Sequence, residues 1–176
     1  MSNIRYYELK YEGNTYTKKY EIDEILLEND LYWFLDCEIE NMRLEILKNT
    51  LIINSGIFYN GVFEYGVIRD IEWRNGRMIN GVIYNGVFKK IVIEKGLVFN
   101  GKFLSGEILH GDLRGGNFID IKISKQTITK TQVQGQTQVQ GQTQVQGQTQ
   151  VQGQTQVQGQ TQVQGQTQVQ GQSDII

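Results

Sequence analysis

Residues 56–120 read GIFYN GVFEY GVIRD IEWRN GRMIN GVIYN GVFKK IVIEK GLVFN GKFLS GEILH GDLRG GNFID. Broken at every fifth residue, the stretch has glycine in the first place of eleven of its thirteen pentads, the exceptions being Ile71 and Ile91. The third place is apolar throughout: Phe58, Phe63, Ile68, Trp73, Met78, Ile83, Phe88, Ile93, Val98, Phe103, Ile108, Leu113 and Phe118. A beat this short describes stacked backbone, a rod or solenoid whose units bury their apolar side only against neighbours.

In a straight strand side chains alternate, so a step of five would send successive third-place residues to opposite faces. Thirteen of them share one interior only if the chain turns a corner in each pentad. Glycine lets the backbone turn close to the large side chain two places later, and both positions then point inward. Asn60, Asn75, Asn80, Asn85 and Asn100 hold the fifth place, where asparagine serves as a turn residue.

Ile71 and Ile91 stand twenty residues apart, which reads as four corners per coil. The fold class expected is therefore all-β, a four-sided β-solenoid with about 20 residues per coil. On that frame Trp73, Ile93 and Leu113 share one column, and Phe58, Met78, Val98 and Phe118 another. The competing reading is a meander of short antiparallel hairpins.

Residues 1–36 form the expected cap. Tyrosine-rich runs flank Gly13-Asn14, a hairpin signal. Ile25, Leu26, Leu31, Trp33, Phe34 and Leu35 follow, and a short helix is expected over about residues 23–29 with Asp23 as its N-cap. Apolar residues fall five apart from Cys37 onward, at Ile39 and Leu44, so the solenoid is expected to span residues 37–125 with an imperfect first coil. Residues 126–176 are a tail in which TQVQGQ repeats seven times from Thr131 to Gln172. Two states stay open for it. Polar low-complexity sequence buries too little to offset backbone ordering and reads as disorder. Alternating Val/Thr and glutamine ladders favour β-structure, and three hexapeptides per coil would make just over two coils of a β-helix.

Composition excludes more than it assigns. Residues 1–50 carry eleven Asp and Glu against six Lys and Arg, and residues 51–120 eight basic against seven acidic. No basic stripe for phosphates is present, so nucleic acid is not expected as a partner. The N-terminus MSNIRYYELKYEG lacks the apolar core of a signal peptide, and no run is long enough to span a bilayer. The expected location is cytoplasmic or within a virion. Cys37 is the single cysteine and reads as a buried small side chain, in the absence of a neighbouring histidine. His110 is the single histidine and reads as a solvated corner residue beside Asp112. Asp36, Glu38 and Glu40 lie on one face if extended, either a loose divalent-ion site or a charged solvent face. GDLRGGNF lacks the Lys-Ser/Thr of a phosphate loop. No catalytic, cofactor or metal set is expected.

The outward apolar residues are more informative. Tyr59, Tyr84 and Phe99 occupy fourth places, Tyr65 a fifth place, and Ile57 and Leu97 second places. In the twenty-residue frame Tyr59 and Phe99 share a column, as do Ile57 and Leu97, and such patches mark contact surfaces.

GIFYNG, GVFEYG, IEWRNG, GVIYNG and GLVFNG resemble the glycine-aromatic pentads of many uncharacterised phage and giant-virus proteins. The pairs Gly56/Phe58, Gly61/Phe63 and Gly101/Phe103 resemble the pentapeptide-repeat pattern, with glycine in place of the usual alanine. GxFxNG also resembles part of a MORN repeat, without its YxGxW opening. The resemblance covers about residues 51–120. It implies an interaction, surface-mimic or scaffold module. The function expected is thus non-enzymatic and structural, a virion or tail-fibre-associated component. The alternatives are a carbohydrate- or membrane-surface-binding module, and a glycan hydrolase using Glu64, Asp70 and Glu72. The partner expected is a second copy, most simply in a trimer around the tail, or a larger protein assembly; a surface glycan is the other candidate.

Overall fold

The structure, a computed structural model, describes residues 7–124 and the strand segments 126–129, 132–134, 137–140, 143–146, 149–152, 155–158, 161–164, 167–170 and 173–175. Its body is a parallel β-solenoid. Val87 and Phe88 pair with Glu72 and Trp73 below and with Lys102 and Phe103 above, always fifteen residues away. The same step joins Val67 to Val82 and Val62 to Arg77. One coil therefore takes three pentads, not four, and the twenty-residue coil is overturned. Ile71 and Ile91 misled because they belong to different lines of the rod: Ile71 lies below Gly86, whereas Ile91 pairs with Gly106.

Three strand columns result. The first stacks Phe58, Trp73, Phe88, Phe103 and Phe118; the second, Phe63, Met78, Ile93, Ile108 and Ile123; the third, Ile53, Ile68, Ile83, Val98 and Leu113. All thirteen third-place side chains have no solvent exposure. The first column is a ladder of rings. Phe58 stacks on Trp73 at 4.0 Å, Phe88 on Phe103 at 4.5 Å and Phe103 on Phe118 at 4.7 Å between centroids. Burial of one such ring contributes about 1.5–3 kcal/mol, with more from stacking.

The expected roles of the first and fifth places hold in part. Ile71, Ile91 and Ile121, which stand where glycine is usual, are buried, so the first place does face inward. Gly106 has φ +140°, and a Cβ there would sit 1.9 Å from the Ile91 carbonyl oxygen one coil below. Glycine is thus required both by the turn and by the approach of the neighbouring coil. That line of carbonyls also accepts ladder bonds, as from the Val92 N–H to Gly76 O at 3.1 Å. The fifth-place asparagines bond along the rod: Asn75 Nδ2 donates to Asn60 Oδ1 at 2.9 Å and Asn100 Nδ2 to Asn85 Oδ1 at 3.3 Å.

The N-terminal segment caps one end. Strands β1 (Tyr7–Tyr11) and β2 (Asn14–Tyr16) form the expected hairpin, turning through Glu12 and Gly13, both at positive φ. Helix α1 spans Lys19–Glu28, earlier than expected, and buries Ile22, Ile25 and Leu26. Asp23 does not cap it; the preceding residue is Lys18, and Asp23 pairs with Lys19 inside the first turns. A 3-10 helix, Tyr32–Asp36, then places Trp33 edge-on to Phe63 at 5.0 Å, closing the interior beneath the second column. Strand β3 (Glu38–Leu47) runs antiparallel to β4 (Thr50–Asn60), and only β4 joins the parallel coils above. The parallel winding thus starts with β4, because the turn at Lys48 and Asn49 folds the Cys37 segment back as a lid.

Beyond Leu113 the coil widens by one residue at a time. Asn117 pairs with Gln132, Lys122 with Gln138, Thr127 with Gln144 and Gln132 with Gln150, steps of 15, 16, 17 and 18. Each TQVQGQ unit that replaces a pentad adds one residue to the circumference. The tail is β-helical, three units per coil, with Thr over Thr, Gln over Gln and Val over Val at the level of the Cα register. One line of Cα partners accordingly runs through Ile52, Val67, Val82, Leu97, Asp112, Thr127, Gln144 and Gln162, eight rungs among the described residues.

Candidate contact surface

Second and fourth places of each pentad point away from the buried third place, so each strand column presents an outer face. On the first face Glu72 is bonded by Arg74 at 3.2 Å and by Lys89 at 2.8 Å. The second carries the pairs Arg77–Glu94 and Lys122–Glu107. On these faces the charged pairs alternate with exposed apolar residues, Val87 on the first and Val62 and Ile79 on the second.

The third face differs. Its second places Val67, Val82 and Leu97 are apolar on three successive rungs, above the buried Ile52 and before Asp112, and its fourth places include Tyr84 and Phe99. Tyr84 stacks on Phe99 at 4.9 Å with the rings 7° apart, and the Arg114 guanidinium lies 5.3 Å over Phe99. Ion pairs frame the patch at both ends. Arg69 bonds Asn54 at 2.9 Å and approaches Glu45 at 3.6 Å; Arg114 bonds Asp112 at 2.8 Å. Beside it runs a groove of about 570 Å³, floored by Gly66, Gly81, Gly96 and Gly111 and walled by Val67, Val82 and Leu97 opposite Asn80, Lys95 and His110.

Of the six contact residues expected from sequence, three meet here: Tyr84, Leu97 and Phe99. Ile57 and Tyr59 lie on the first face, so the columns pairing Tyr59 with Phe99 and Ile57 with Leu97 do not exist. The cause is the fifteen-residue coil, which sets Tyr59 under Arg74 instead, with the guanidinium 4.5 Å from the ring. The Tyr59 hydroxyl donates to Glu40, and that bond, first among its causes, raises the phenol pKa. Tyr65 leans toward the cap: its hydroxyl donates to the Asp30 carbonyl at 3.3 Å and its ring packs 5.6 Å from Trp33. Val67 and Val82 were missed; a search for apolar second places fifteen residues apart finds them with Leu97.

The carboxylates considered for glycan hydrolysis are scattered. Glu64 follows the second column's strand, Glu72 lies on the first face, and Asp70 sits at a corner accepting from Asn85 Nδ2 at 3.2 Å. The Lys89 hydrogen bond, and then that of Arg74, lower the Glu72 pKa, opposite to the need of a general acid. Asp36, Glu38 and Glu40 form no metal-ligand group with other residues among those described. Cys37 is buried as expected; its thiol donates to the Val62 carbonyl at 3.4 Å, and burial pushes its pKa up to about 12, far from the thiolate chemistry of a nucleophile. His110 is an exposed corner residue on the groove wall. No helix among the described residues is long and apolar enough to cross a membrane.

Compared with known proteins, the chain matches no family model, no curated protein and no solved structure.

Proposed function

We propose that the protein is a non-enzymatic structural and interaction module, a stiff rod that presents one apolar outer face to a protein partner. The observation that carries this reading is the unbroken apolar run of the third face. Charged residues interrupt Val87 on the first face and Val62 and Ile79 on the second, whereas the third gathers Val67, Val82, Leu97, Tyr84 and Phe99 on successive rungs between framing ion pairs. An apolar patch with a polar rim is the signature of a contact surface. The carbohydrate alternative is less well supported, because sugars stack on open ring faces, and Phe99 lies between Tyr84 and Arg114 while Arg74 covers Tyr59. The finer reading, a virion or tail-fibre-associated component, rests on the resemblance to phage and giant-virus pentads. A trimer around the tail keeps less support, since the tail strands pair with strands of their own chain.

Binding of an apolar fluorescent dye to the native full chain, held below micromolar concentration, tests the patch. Enhanced fluorescence that Val82→Glu with Leu97→Glu abolishes is expected. Equal fluorescence from both proteins overturns the reading, and binding to liposomes or glycans that the double variant loses favours the alternatives.

A further inference from the structure

Resting on that reading, we propose that the groove beside the third face docks an extended segment of a partner protein, one whose side chains alternate between apolar and polar and end on an acid. The groove repeats with the coil. Each rung supplies three consecutive residues: Asn80-Gly81-Val82, then Lys95-Gly96-Leu97, then His110-Gly111-Asp112. One wall is thus aliphatic, through Val67, Val82 and Leu97, and the other is polar. The glycine floor between them has no side chains, so a guest backbone can lie directly on it.

The polar wall is open for bonding. On the other two corner lines the asparagines are linked, Asn75 to Asn60, Asn100 to Asn85 and Asn85 to Asp70. Among the described residues the side chains of Asn80, Lys95 and His110 have no such link, so an amide, an ammonium and an imidazole stand in line without partners. Asp112 is the only carboxylate lining the groove, and Arg114 bonds it at 2.8 Å. Charge therefore favours a carboxylate on the guest, beside Lys95.

Spacing sets the pattern. Four rungs about 4.8 Å apart span roughly 14 Å, the reach of about four extended residues. Side chains on one side of such a segment recur every ~6.8 Å. One apolar side chain then falls between Val67 and Val82 and the next beside Leu97. The alternate positions fall beside Asn80 and between Lys95 and His110, where the acid belongs. A fatty-acid chain would cover the Asn80 amide without replacing its bonds, and an aliphatic wall gives a sugar ring nothing to stack on.

The experiment titrates the peptide acetyl-SVTVES-amide into the isotope-labelled full chain and follows the backbone amide signals. Saturable shifts at Gly81, Gly96 and Leu97 are expected. Lys95→Glu, an exposed position, should keep its far-UV spectrum and bind the peptide at least ~10-fold more weakly. Acetyl-SVTVKS-amide should bind the wild type at least ~10-fold more weakly than the acidic peptide. Lys90→Glu, on a different corner line, should bind as the wild type does. An absence of shifts at millimolar peptide, equal affinity for the two peptides, or equal losses in Lys95→Glu and Lys90→Glu overturns the proposal. Tighter binding of dodecanoate than of the peptide at the same amides also overturns it, in favour of a lipid. A chain that binds dye through the third face but not the peptide sinks the docked segment and leaves the contact-surface reading intact.

Discussion

Pentad coils and TQVQGQ coils belong to one parallel ladder but close it with different lengths of chain, 15 residues against 18. The pentads bring a buried side chain at every third place, five of them rings in one column. The TQVQGQ units contain no charge, no aromatic and no apolar residue larger than valine. The two regions therefore separate two contributions that are mixed in most solenoids. Pentads supply burial and sterically demanding turns; hexapeptides supply chiefly rung-to-rung backbone pairing on a template already formed. The passage between them through steps of 16 and 17 shows why the template works: only one strand column changes at a time. In a solenoid, stability is close to a sum of neighbour terms, so the strength should lie in the pentads.

The sharpest way to break this contrast is at a pentad turn. Gly106→Ala adds a Cβ at positive φ against the Ile91 carbonyl. A loss of about 4 to 6 kcal/mol is expected from backbone strain and overpacking together, read by urea denaturation. Phe88→Ala should cost about 3 to 5 kcal/mol, because it opens the ring column between Trp73 and Phe103. A loss below about 1 kcal/mol would place the strength of the rod elsewhere.

A gentler probe reads the junction of lid and coils. The Cys37 thiol, raised to about 12 by burial, stays protonated in the folded chain while the unfolded thiol ionises near its ordinary 9.0. Folding is then unaffected by this group at neutral pH, and stability falls as pH rises above 9.0. By pH 10 the loss should be about 1 kcal/mol, and Cys37→Ala should remove that part of the slope in denaturation measured at pH 8 and pH 10. The smallest effect is expected from the tail. Deleting residues 137–154 removes three TQVQGQ units, one whole coil, and leaves the register of the rest unchanged. The unfolding midpoint of the pentads should move by no more than ~2 °C, since only terminal neighbour terms are lost. A shift as large as that of Phe88→Ala would show that the hexapeptide coils carry burial of their own.

Part of this was legible in the residues. The beat of five placed Phe58, Phe63 and their successors inside, and the hairpin signal at Gly13-Asn14 and the apolar Trp33-Phe34 pair announced a cap, although the turn itself falls at Glu12 and Gly13. The contact surface was legible only as a residue list: Tyr84, Leu97 and Phe99 stood out, but Ile57, Tyr59 and Tyr65 stood out equally. Which of them meet depends on the number of pentads in a coil. The chain did hold that number, since aromatic residues recur every fifteen places at Phe58, Trp73, Phe88, Phe103 and Phe118. The absent glycines at Ile71 and Ile91 gave a louder signal and a false one.

What the sequence alone determined is therefore local: where the backbone turns, and which side chain of each pentad faces inward. Those follow from steric freedom at glycine and from apolar patterning, both set within five residues. Only the tertiary structure decided that three corners close a coil, that β3 folds back over the first one, and that the tail continues the ladder. Closure is a meeting of residues fifteen to eighteen apart, chosen by how rings stack and how each carbonyl finds the N–H of the next coil. The outer face inherits its neighbours from that choice, which is why Tyr84 meets Phe99 and Tyr59 lies under Arg74.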